Sequence, residues 1–79
     1  MKKIDLHGLD IQEVTSKVLN AIYSLNNSND DSVELITGKG TGALKLRVEE
    51  LLDEEGVDWD YYNADGTSFI VYKTYDDEY

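Results

Sequence analysis

Two short stretches of this 79-residue chain carry the residue types that phosphate chemistry requires. The first is Ile4-Asp5-Leu6-His7-Gly8, in which the single histidine follows a carboxylate by two positions. Imidazole exchanges protons near neutral pH, and an adjacent carboxylate can orient the ring and stabilise its cationic form. The pair therefore suits general acid–base work. A plainer reading has His7 closing a turn while Asp5 bonds nearby backbone. The second stretch, Ile36 to Lys45, reads ITGKGTGALK, with three glycines, two lysines and no acid in ten residues. Glycine lets backbone N–H groups approach an anion closely, and Lys39 adds a full positive charge. Its plainer reading is a connector between strand and helix.

The elements that would position these stretches follow from periodicity. Lys3–His7 alternates polar and apolar residues as a half-buried strand does, placing Asp5 and His7 on one face and Ile4 and Leu6 on the other. Asp10 and Glu13 form a capping box ahead of Ile11, Val14, Val18, Ile22 and Leu25 at helical spacing. The polar run 26–31 ends that helix. Val33–Thr37 reads as a strand stopped by Gly38. Leu44, Val48, Leu51 and Leu52 define a second helix, closed by Gly56. Residues 57–62 form a third strand, 64–67 a turn and 68–73 a fourth strand. The expected fold is α/β in the broad sense, an α+β two-layer sandwich of order βαβαββ. It has a four-stranded mixed sheet with both helices on one face. Residues 1–74 form the expected single domain and 75–79 a disordered acidic tail.

In such a fold the first two strands run parallel, and ligands sit beyond their carboxyl ends. Both chemical stretches emerge there. Each leads into a helix N-terminus, where free N–H groups and the positive dipole end favour an anion.

Charge narrows the partners. The formal net charge is −10, but its distribution is uneven. Residues 1–48 hold six cations and six acids, while residues 49–79 hold eleven acids and only Lys73. A polyanion can therefore meet Lys39, Lys45 and Arg47, although broad electrostatic coating of nucleic acid needs a more extended basic surface. There is no cysteine, so disulfide and thiolate chemistry are excluded. No apolar run is long enough to span a bilayer, and a cytoplasmic setting is expected.

Familiar phosphate motifs fail in detail. Gly38-x-Gly40-x-x-Ala43 copies part of a dinucleotide fingerprint, but the chain is too short for that fold. A P-loop needs Ser or Thr after Gly-Lys, where Gly40 stands. The carboxylates at 53–55 and 76–78 are contiguous and would diverge on a helix, so no metal ligands are assigned. Trp59 is read as core, and Tyr62 and Tyr72 as exposed aromatics.

The two stretches together resemble the small MutS-related (Smr) domain family. The match consists of Ile4-Asp5-Leu6-His7-Gly8, an intervening helix, and Ile36-Thr37-Gly38-Lys39-Gly40-Thr41-Gly42-Ala43-Leu44. The family opens on a Leu-Asp-Leu-His/Arg-Gly strand and carries a His/Thr-Gly-x-Gly loop. The Gly-Thr-Gly-Ala-Leu continuation is most similar to the C-terminal Smr domain of bacterial MutS-like proteins. Lys45 stands where many members carry arginine. The resemblance implies a fold like the C-terminal domain of translation initiation factor three. It also implies nicking of DNA or cleavage of structured RNA, with ribosomes as partners of some members. Carried onto this chain, Asp5, His7 and Lys39 become the catalytic candidates. Gly8, Thr37, Gly38, Gly40, Thr41, Gly42, Lys45 and Arg47 become the nucleic-acid contacts. No cofactor is assigned beyond a divalent ion such as magnesium. The expected setting is the C-terminal part of a larger protein. The alternative is a non-catalytic nucleic-acid or ribosome-docking module.

Overall fold

A computed structural model describes residues 1–39 and 42–74. The element order is β1 (Lys2–Asp5), α1 (Ile11–Asn26), β2 (Ser32–Ile36), α2 (Gly42–Glu55), β3 (Trp59–Tyr61) and β4 (Ser68–Tyr72). This is the βαβαββ order that periodicity predicts. Gly40, Thr41 and the tail at 75–79 lie outside the described residues.

The strands stand in the order β1-β2-β4-β3. β1 and β2 are parallel, and β4 runs antiparallel to both β2 and β3, so the sheet is mixed. Alternation decides its two faces. Val33 and Leu35 of β2 and Phe69 and Val71 of β4 join the apolar sides of both helices in one core. Val14, Val18 and Leu25 supply that core from α1, and Leu44, Val48 and Leu52 from α2. Burying each such side chain contributes about 1.5–3 kcal/mol, which matters greatly in a domain this small. Among the described residues, no helix lies over the opposite face.

Local chemistry sets the helix ends. The Glu13 N–H donates to Asp10 Oδ1 at 2.8 Å and the Asp10 N–H to Glu13 Oε1 at 3.2 Å, completing the capping box. α2 ends in a Schellman motif: the Gly56 N–H reaches the Asp53 carbonyl at 3.2 Å and the Val57 N–H the Leu52 carbonyl at 3.3 Å.

The strand boundaries differ from the sequence expectation by one to two residues, β4 for example ending at Tyr72 rather than Lys73. β1 stops at Asp5, because His7 and Gly8 enter a turn closed by the Leu9 N–H on the Leu6 carbonyl. β2 ends at Ile36 rather than Thr37, whose N–H turns to the Thr67 carbonyl at 2.8 Å. β3 spans only Trp59–Tyr61, an edge strand flanked by single bonds from Tyr62 to Ser68 and from Tyr72 to Asp58.

Candidate nucleic-acid interface

Three chain segments meet at one end of the sheet: the turn after β1, the loop after β2 and the turn between β3 and β4. Gly8 and Gly38 both have positive φ, 82° and 73°, which L-residues adopt only with strain. Gly8 occupies the third position of the Leu6–Leu9 turn, where a type II turn calls for glycine. A side chain at Gly38 would place its Cβ 3.4 Å from the Cβ of His7. The two loops are therefore in contact, as the parallel order of β1 and β2 requires.

The Asp5–His7 pair is looser than a shared strand face would make it. Asp5 Oδ1 accepts the His7 backbone N–H at 3.0 Å, while His7 Nδ1 lies 3.7 Å from the same oxygen. That spacing is beyond a hydrogen bond and gives an ion pair only when the imidazole is protonated. Both side chains face solvent, with 74% of His7 and 65% of Asp5 exposed. The Asp5 carboxylate therefore fixes the turn that presents His7.

The turn at 62–67 buttresses the glycine loop. The Thr67 carbonyl accepts the N–H groups of Thr37 and Gly38 at 2.8 and 3.0 Å and the Thr37 hydroxyl at 3.2 Å. Thr37 is buried, so this candidate contact residue braces the loop from inside. The turn in turn bonds itself: Asn63 and Asp65 both accept from the Thr67 N–H, and the Thr67 hydroxyl donates to Asp65. Nothing in local sequence links Thr67 to Thr37, thirty positions away.

The cations divide. Lys39 is exposed on the loop. Lys45, on the first turn of α2, sits 5.0 Å from the centroid of the Tyr61 ring, a cation–π contact. Its Nζ lies 2.6 Å from the point where a Gly66 Cβ would stand, so glycine makes room for it. Arg47 is held within the helix layer, its Nε donating to the Thr15 hydroxyl at 3.4 Å and its guanidinium facing Glu50 at 3.5 Å. The first turn of α2 contains no acid, which leaves its positive dipole end uncompensated. Lys39, Lys45, His7 and this helix start thus share one end of the molecule.

The aromatic residues pack around the same hairpin. Trp59 leans on the core, 5.3 Å from the Phe69 ring and edge-on to Tyr61, with its N–H donating to Asp53. Tyr62 and Tyr72 are exposed. The Tyr61 hydroxyl donates to Glu49. That hydrogen bond, with some desolvation and the Glu49 charge, raises the Tyr61 pKa above 10.0.

Among the described residues, no three His, Asp or Glu side chains come together as ligands for an ion. None of the helices is long and apolar enough to cross a membrane, again among the described residues.

Comparison with known proteins agrees with this fold. The chain is 36% identical over 55 residues, 70% of its length, to the endonuclease MutS2 of Gemmatimonas aurantiaca. It spans about 7% of that relative's length. The crystal structure of the Smr domain of Thermus thermophilus MutS2 superposes with a TM-score of 0.82 at 26% identity. That alignment covers 91% of this chain and 96% of the other. The Smr domain family matches residues 4–68, from the second half of β1 to the first residue of β4 and including both loops, so the chain belongs to the Smr domain family.

Proposed function

We propose that this Smr domain binds nucleic acid at the end of the sheet and cleaves a phosphodiester there, in DNA or structured RNA. The observation that carries the reading is the contact between the two loops, which sets an exposed imidazole beside a cationic, glycine-turned segment at a helix N-terminus. In this mechanism the Lys39 ammonium and the first N–H groups of α2 stabilise charge developing on the phosphoryl oxygens. His7 delivers or removes a proton at the attacking or leaving oxygen. Asp5 positions His7 through the turn, its Oδ1 holding the His7 backbone N–H. Gly8, Gly38 and Gly42 shape the backbone that approaches the phosphate, with Thr37 holding the loop from behind and Lys45 supplying outer charge. The cytoplasm is the proposed setting, within a longer protein as in the MutS2 relatives.

One observation favours a second reading, in which the domain grips phosphate without cleaving it and docks on nucleic acid or the ribosome. Asp5 Oδ1 bonds the His7 backbone rather than its ring. Cleavage assays on supercoiled plasmid and on structured RNA, each with and without magnesium, separate the two. The nuclease reading expects His7→Ala to abolish turnover while leaving affinity within about twofold. No cleavage by the wild-type domain on any of these substrates, with binding intact, would establish the docking reading instead.

A further inference from the structure

The uncovered face of the sheet holds a carboxylate with an unsatisfied oxygen. Glu34 is the middle residue of β2, in register with Lys3 on one side and Ile70 on the other. Its strand neighbours Val33 and Leu35 point into the core, so alternation sends Glu34 to the opposite face. Only 6% of Glu34 is exposed, and its Oε1 has no hydrogen-bond partner. Burying a carboxylate oxygen without a donor is costly, and native structures reserve such groups for a use.

The surroundings indicate what would satisfy it. Ile36 and Ile70 flank Glu34 and are half-buried. Asp5 on one edge strand and Asp60 on the other stand in the same two rows of side chains, against the single cation Lys3. Three acids against one lysine repel a phosphate backbone, so nucleic acid is not the occupant. Nor do these acids converge as a metal cradle among the described residues. A second copy would bring the same acids and a formal charge of −10 to the contact.

We propose that this face docks a cationic polypeptide segment, one arginine of which donates to Glu34 while its aliphatic stem and neighbouring residues cover Ile36 and Ile70. Arginine suits the site better than lysine because its planar guanidinium bonds a carboxylate with two donors and is more weakly hydrated. The domain would then meet nucleic acid with its loop end and protein with its sheet face.

The test titrates the ¹⁵N-labelled domain with an eight-residue peptide alternating arginine and valine, and with its glutamate–valine counterpart. The expected result is saturable amide shifts in β2 and β4 with the arginine peptide alone. Glu34→Gln is expected to weaken binding at least fivefold without lowering Tm, since the Oε1 atom has no hydrogen-bond partner to lose in the free domain. Should that variant fail to fold, Ile70→Lys sets a cation beside Glu34 and is expected to abolish peptide binding. The proposal fails if either folded variant binds as tightly as wild type, or if the shifts fall only on the loops. It also fails if a DNA oligonucleotide shifts the same face, or if that face shifts with domain concentration when no peptide is present.

Discussion

Gly38→Ala separates the energetic roles of the glycine loop. With φ at 73°, alanine there enters a left-handed conformation costing about 1–2 kcal/mol. The new Cβ would stand 3.4 Å from His7 Cβ and 3.9 Å from its Cγ, ordinary to slightly tight contact that adds little. In a domain of this length 1 kcal/mol moves Tm by roughly 4–8 °C, so a fall of about 4–16 °C is expected in thermal unfolding followed by circular dichroism. Gly8→Ala carries the same backbone cost with no atom within 4 Å of its Cβ. The two variants should therefore lose similar stability. Gly42 is the control: its Cβ meets nothing within 4 Å and its φ is not positive, so as the first residue of α2 it should accept alanine with little change in Tm. Gly38→Asn adds a functional split, because asparagine tolerates positive φ. It should recover most of the lost Tm and yet bind a DNA or RNA oligonucleotide more weakly than wild type, since any side chain there stands between the loop and an anion. A Gly38→Ala protein melting within a degree or two of wild type would refute the strain argument. A Gly38→Asn protein with unchanged affinity would refute the close approach.

Asp10→Ala removes the capping box of α1 and is expected to cost about 1 kcal/mol, read from urea unfolding with an unchanged m-value. Tyr61 predicts an alkaline effect. Its pKa is raised in the folded state, so the Glu49 contact stabilises fully below about pH 10 and is lost as pH climbs through the raised value. The Tm difference between wild type and Tyr61→Phe should accordingly be constant from pH 7 to 9 and shrink above pH 10. Nucleic-acid binding should show a shallow salt dependence. With Arg47 held by Thr15 and Glu50, two or three phosphate contacts from Lys39, Lys45 and a neighbouring lysine give a log–log slope of about −2 to −3 on duplex DNA. A slope near −6 would require a basic surface beyond these residues.

Much of this molecule is written in local chemistry. The capping box at Asp10 and Glu13, the apolar periodicity of both helices and the Gly56 cap are interactions within six residues, so their spacing alone specifies the elements. The two loops and their glycines were equally legible, because a strand that stops at glycine before a helix start has few geometries. Partnerships between distant residues were not. No spacing foretells that the Thr67 carbonyl collects three donors from Thr37 and Gly38, that Lys45 lies over Tyr61, or that Arg47 turns to Thr15 on the other helix. The first two depend on β4 pairing with both β2 and β3, and the third on how the two helices pack against each other. The sheet order makes Glu34 a central residue of the open face, and only there does its polar position in an apolar strand become a buried carboxylate lacking a donor. Sequence determined the elements and the chemical loops, because those energies are local. Tertiary structure decided which charges remain available, because that depends on which distant side chain or carbonyl reaches each one first.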